Sequence, residues 1–211
     1  MDHDQRMAAA LQLDPDQAAR IVRNIVQLDA DATLVVGPLS ERLMGAAVQA
    51  ITKAAPAPWQ VVEADLAARI VCPEWKMARG VGTGDAWLEL TEIGPEEVEG
   101  FSWISVAVGA GPTRMALELV FRRGLLEYSE AAVSDDKQVA ALLKVGMARD
   151  ESKSRLFFPI EIQVEALAQA YLTGDFDKAL APVAQATKKA IAAKLDLDEF
   201  VGRIRTAAAR K

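Results

Sequence analysis

Histidine and cysteine are nearly missing from this chain of 211 residues, which carries one of each, His3 and Cys72. A zinc site draws three or four ligands from such side chains, so one of each excludes the usual structural or catalytic centre. Nucleophilic pairs and triads need an ordered imidazole beside a Ser or Cys, and His3 falls in a segment expected to be mobile. A lone cysteine closes no internal disulfide, which agrees with a reducing compartment. Long apolar runs are missing as well. Every such stretch is broken by Glu, Arg or Lys well short of the ~20 residues a membrane-crossing helix needs. The mixed-charge start Met1-Asp2-His3-Asp4-Gln5-Arg6 and the short apolar stretch to Leu13 make no secretory leader. The expectation is a cytoplasmic protein that does not span a membrane.

Excess positive charge is also lacking. A formal net charge of −6 argues against a general nucleic-acid binder, which gathers Lys and Arg to replace the counterions along phosphate. The charge is unevenly spread. From Lys188 onward seven basic residues face three acidic ones, which leaves the rest of the chain near −10. Cations near helix C-termini complement the helix dipole from water; the sharper reading is that the basic C-terminal helix contacts an acidic surface.

What is present is the mixture of a packed globular protein, 51% apolar and 26% charged. Asp14-Pro15 has the form of a cap followed by proline at the first helical position. Ala18, Ile21, Val22, Ile25 and Val26 then share a face, so a helix is expected over about 15–28. The Leu34-Val35-Val36 run ends at Gly37-Pro38, and Ser40 can cap a second helix with Leu43, Met44, Ala47, Val48 and Ile51 on one side.

From Trp59 the period shortens towards two. Candidate strands are Gln60 to Leu66, Arg69 to Cys72, Ala86 to Ile93, Phe101 to Val108 and Arg114 to Phe121, the last two read as a hairpin across Gly109-Ala110-Gly111-Pro112. Beyond Gly124 helical spacing returns, capped by Ser134 or Asp135, with one short strand at Leu156-Phe157-Phe158. A helix over Ile160 to Leu172 should end at Gly174. Asp175 opens another stretch that Pro182 divides or kinks, and Asp196 or Asp198 caps the last helix. The fold class is α+β: a central, mainly antiparallel sheet over about 59–122 flanked by N-terminal and C-terminal helices. Residues 1–129 form one domain, and 130–211 a helical region packed on the sheet or a small domain of its own.

Gly80-Val81-Gly82-Thr83-Gly84-Asp85 invites a phosphate-loop reading. It leads into the strand-like Trp87-Leu88-Glu89-Leu90 and holds no Gly-Lys-Ser or Gly-Lys-Thr, so it reads as a connection between strands. The acidic run Thr91 to Gly100 reads as a solvated loop, or as a dock for a basic partner. Trp59, Trp75, Trp87 and Trp103 fall within 45 residues, as core or as an exposed binding platform. Cys72, before Pro73, reads as an inert buried thiol.

Carboxylates remain as candidates for chemistry. Asp65 followed by Glu74-Trp75-Lys76 resembles the signature of the PD-(D/E)XK nuclease-like superfamily over about 12 residues. The resemblance implies magnesium held by Asp65 and Glu74, Lys76 assisting the attacking water, and cleavage of DNA or RNA. Asp136 followed by Glu151-Ser152-Lys153 meets the same loose pattern, and Pro73 interrupts the strand the family requires. The reading set first is therefore a non-catalytic interaction module needing no cofactor, which binds a protein partner or itself through the sheet or the C-terminal helices. The alternative is a magnesium-dependent or degenerate nuclease-like protein.

Overall fold

The computed structural model describes residues 15–64, 67–75, 84–95, 102–150 and 152–210. Its helical N-terminal part runs almost without a break: α1 over Pro15–Arg23, α2 over Ile25–Leu34, a π-helical turn over Val35–Leu39, and α3 over Ser40–Ala54. The expected stop at Gly37-Pro38 is absent. Pro38 has no N–H to donate, and the chain answers by widening one turn instead of leaving the helix. Ser40 does not cap; its hydroxyl donates to the Val35 carbonyl at 2.6 Å, within that widened turn.

Among the described residues six antiparallel strands follow: β1 Gln60–Ala64, β2 Ala67–Val71, β3 Ala86–Ile93, β4 Arg114–Phe121, β5 Ala148–Asp150 and β6 Arg155–Pro159, in the order β1-β2-β3-β4-β6-β5. The alternation along β3 and β4 sets their register, with Ala86, Leu88 and Leu90 opposite Phe121, Leu119 and Leu117 on the core face. The sheet extends past the expected 59–122, because β5 and β6 pair and β6 joins β4.

Of the expected strand Phe101 to Val108, Phe101 lies outside the described residues and 102–108 do not form a strand. Residues Trp103–Ala107 form a short helix, α4, with the Ser105 N–H donating to the capping Ser102 hydroxyl at 3.2 Å. The β-branched residues suggested a strand, but burial of Val106 and Ala107 against the core decides the local conformation. The partner of β4 is therefore β3, not a neighbouring hairpin strand.

The later helices are α5 Leu126–Val133, α6 Asp136–Lys144, α7 Val164–Thr173, α8 Ala181–Ala192 and α9 Lys194–Ala209. Asp135 caps α6 by accepting the Lys137 N–H at 2.9 Å. Gly174, at φ +79, closes α7 in the left-handed conformation that glycine adopts without strain. Pro182 divides nothing: it lies in the first turn of α8, where its missing N–H leaves no bond unmade. Neither Asp196 nor Asp198 caps α9, which starts at Lys194 with no side-chain cap.

One hydrophobic cluster draws on Leu43 and Ile51 of α3, Leu88 and Leu117 of the sheet, and Val183, Phe200 and Ile204 of α8 and α9. Among the described residues no helix is long and apolar enough to cross a membrane. Burial predicts sharply unequal costs of truncation. Phe200→Ala, in the core, should lose about 3–5 kcal/mol in denaturant unfolding, while Val22→Ala, on an exposed helix, should fall within about 0.5 kcal/mol of the parent.

Candidate interaction surface

The last helix is tied to the sheet by a polar cluster. Asp85, 8% exposed at the start of β3, receives one Arg from the sheet and one from α9. Arg122 Nε donates to its Oδ1, and Arg205 Nε to its Oδ2 at 2.7 Å. Arg205 also donates to the Glu74 carbonyl at 2.9 Å, and the Asp85 N–H to the Trp75 carbonyl at 2.8 Å. Two turns back along α9, Asp198 accepts the Trp75 indole N–H at 2.7 Å and the Lys194 ammonium at 2.6 Å. The basic C-terminal helix thus meets an acidic surface within its own chain. Gly84, at φ +103, leads into the clamp, while 80–83 of the glycine-rich stretch lie outside the described residues.

Of the three nuclease-like residues, Asp65 and Lys76 lie outside the described residues. Glu74 sits in a 3₁₀ turn over Pro73–Trp75. Its carboxylate accepts the Cys72 thiol at 2.7 Å and lies 3.4 Å from the Lys194 ammonium. The thiol bond, the turn's own backbone and Lys194 hold Glu74 below the usual carboxylate range. Burial first, and the bond to Glu74 second, push the Cys72 thiol up to about 11, so it stays protonated at neutral pH. Among the described residues no three His, Cys, Asp or Glu side chains are grouped to hold a metal ion.

The tryptophans divide between two faces. Trp59 and Trp75 are buried and meet edge to face at 5.5 Å, and Trp103 is half-buried against the same core. Trp87 points from β3 to the opposite side of the sheet, where its N–H donates to Glu89 at 2.6 Å and the Arg69 guanidinium lies 5.3 Å from its ring.

That second face carries a row of charge across four strands. Arg69 pairs with Glu89 at 3.0 Å, Glu89 stands directly opposite Glu118, and Arg155 approaches Glu118 at 3.6 Å. Burial, opposed by Arg155 and reinforced by Glu89, raises the pKa of Glu118. Where β4 runs past its last pairing with β6, a depression of about 260 Å³ opens between Glu118, Leu126 and Arg155. A neighbouring hollow of about 310 Å³ holds Asp136 and Arg149, 2.8 Å apart. Glu151 of the second motif match, and 96–100 of the acidic run, lie outside the described residues.

The feature that sequence reading missed is the arm formed by α1 and α2. Every residue from Val22 to Leu34 is exposed, and α2 buries none. Val22 is 70% and Val26 82% exposed, with Ile25, Leu28 and Leu34 also open to solvent. The signal lay in the continuation of the spacing: Ala18, Ile21, Ile25, Leu28, Ala32, Val35 and Leu39 follow one another at alternating intervals of three and four. That is the a/d pattern of a helix that packs on another helix.

Comparison with protein-family models, with curated proteins and with solved structures finds no match to this chain.

Two outcomes follow. Asp85→Ala leaves two guanidinium groups without their carboxylate and should cost about 2–3 kcal/mol in urea unfolding. Glu118 has the opposite sign. Its folded pKa lies above the unfolded ~4.3, so folding favours its proton and stability falls as pH rises from there through the folded value. Glu118→Gln should therefore gain on the parent between pH 4 and pH 7 in urea titrations; a constant difference would remove the assigned burial penalty.

Proposed function

We propose that the chain is a non-catalytic protein–protein interaction module whose docking element is the α1–α2 arm. The observation that carries the reading is the run of helix from Val22 to Leu34 that is exposed throughout and carries Val22, Ile25, Val26, Leu28 and Leu34. In most proteins a helix is held by packing its apolar face, because propensity and internal hydrogen bonds alone leave a short helix marginal in water. This arm keeps Val22, Ile25, Val26, Leu28 and Leu34 in solvent, apolar surface that a partner would bury.

The reading moves the interaction away from the C-terminal helices. Lys194 and Arg205 are spent on Asp198, Glu74 and Asp85, and α9 lays Phe200 and Ile204 into the core. On the second face of the sheet, the charged residues Arg69, Glu89, Glu118 and Arg155 answer one another in a ladder, which weakens the case for that face as the dock.

A photo-crosslinking amino acid in place of Val26 tests the proposal in intact cells. A protein adduct of defined mass is expected, and it should disappear when Ile25→Asp and Leu28→Asp are added. Irradiation that yields no adduct, or an adduct that survives those substitutions, would overturn the arm as the docking element.

A further inference from the structure

We propose that the hollow enclosed by β4, α5 and the residues entering β6 is a binding site for a free α-amino acid with an apolar side chain. The site lies on the body of the protein and goes beyond the interaction reading, since it involves no residue of the arm.

The hollow holds about 260 Å³, below the ~300–1,000 Å³ of pockets that take drug-sized molecules. It admits a molecule of metabolite size and not a folded partner. Glu118 of β4 and Arg155 of β6 both line it, with side chains 15% and 32% exposed. Arg155 Nε stands 3.6 Å from Glu118 Oε1, which balances the charge but is too long for a hydrogen bond. Among the described residues neither group makes a hydrogen bond. The carboxylate lacks donors and the guanidinium lacks acceptors at the wall of a space that a ligand can occupy.

Charge then selects the ligand. Glu130 and Lys153, on the same lining, add one further charge of each sign. The lining as a whole is neutral, which favours a ligand of no net charge over an anion or a cation. Such a ligand must offer a cationic donor to Glu118 and an anionic acceptor to Arg155, and must hold the two close together. An α-amino acid does so across a single carbon: its ammonium donates to Glu118 while its carboxylate accepts from the Arg155 fork. A dipeptide, or an amino acid with its amine at the far end of the chain, sets the two charges too far apart.

Leu126 and Val133 of α5 complete the lining, and Leu126 is 42% exposed. An apolar side chain laid against them covers surface that the chain itself leaves in water. At the same wall Ser154 is the one non-glycine residue with positive φ among the described residues, at +50. Residues held in such conformations gather at ligand sites.

Titration calorimetry and thermal melting of the full chain with L-valine, L-leucine, L-isoleucine and L-methionine, each taken to millimolar concentration, test the site. At least one should bind at one molecule per chain and raise the melting temperature. Its N-acetyl derivative, which has no ammonium, and its amide, which has no carboxylate, should each bind at least about 10-fold more weakly, the loss of one charged hydrogen bond. Glu118→Gln, which keeps the shape of the wall and removes a half-buried charge, should fold as the parent does and weaken the ligand by a similar factor. Glu118→Gln with Arg155→Gln leaves neither charge unpaired and should abolish binding while circular dichroism stays unchanged.

No heat and no shift in melting temperature with any of these amino acids overturns the inference. Binding that Glu118→Gln leaves unchanged, or derivatives that bind as tightly as the free amino acid, overturn it as well. Crosslinking at position 26 reads the arm independently, so failure here leaves the interaction reading standing.

Discussion

A carboxylate buried at the start of β3 holds the globule closed. Asp85 is reached by Arg122 from the end of β4 and by Arg205 from the last helix, so three segments far apart in sequence meet on one side chain. A buried charge without partners would be costly, and the two guanidinium groups supply charge and directed donors together. Around it, Arg205 takes the Glu74 carbonyl and Trp75 reaches Asp198, so α9 lies across the 3₁₀ turn in a fixed register. Phe200 and Ile204 can then enter the core from the same helix.

This closure changes the meaning of the charge asymmetry. A basic tail following an acidic body looks like two surfaces offered to others. Part of the attraction is consumed inside the chain, where Lys194 pairs with Glu74 and Arg205 with Asp85. In the arm formed by α1 and α2, by contrast, no residue from Val22 to Leu34 is buried.

Elements governed by local periodicity were legible in the sequence. The Leu43, Met44, Ala47 and Ile51 face of α3, the alternation of β4 and the glycine that ends α7 each follow from the geometry of one element. Conformations settled by tertiary contact were not. Trp103–Ala107 has the composition of a strand, yet it is a capped turn of helix once Val106 is buried. Pro38 is held within a helix by a widened turn that no propensity scale anticipates. Asp85 was hidden at the end of a glycine-rich stretch because its two partners lie 37 and 120 residues away. The arm was visible as a helix, but its exposure was not, since an apolar face alone does not say whether the chain itself covers it.

Hydrogen exchange of the full chain, measured amide by amide, separates a closed body from an open arm most directly. The account predicts strong protection across 194–209 and weak protection across 22–34 in dilute protein. An arm as protected as the last helix in dilute protein, or a last helix that exchanges as readily as the arm, would contradict it.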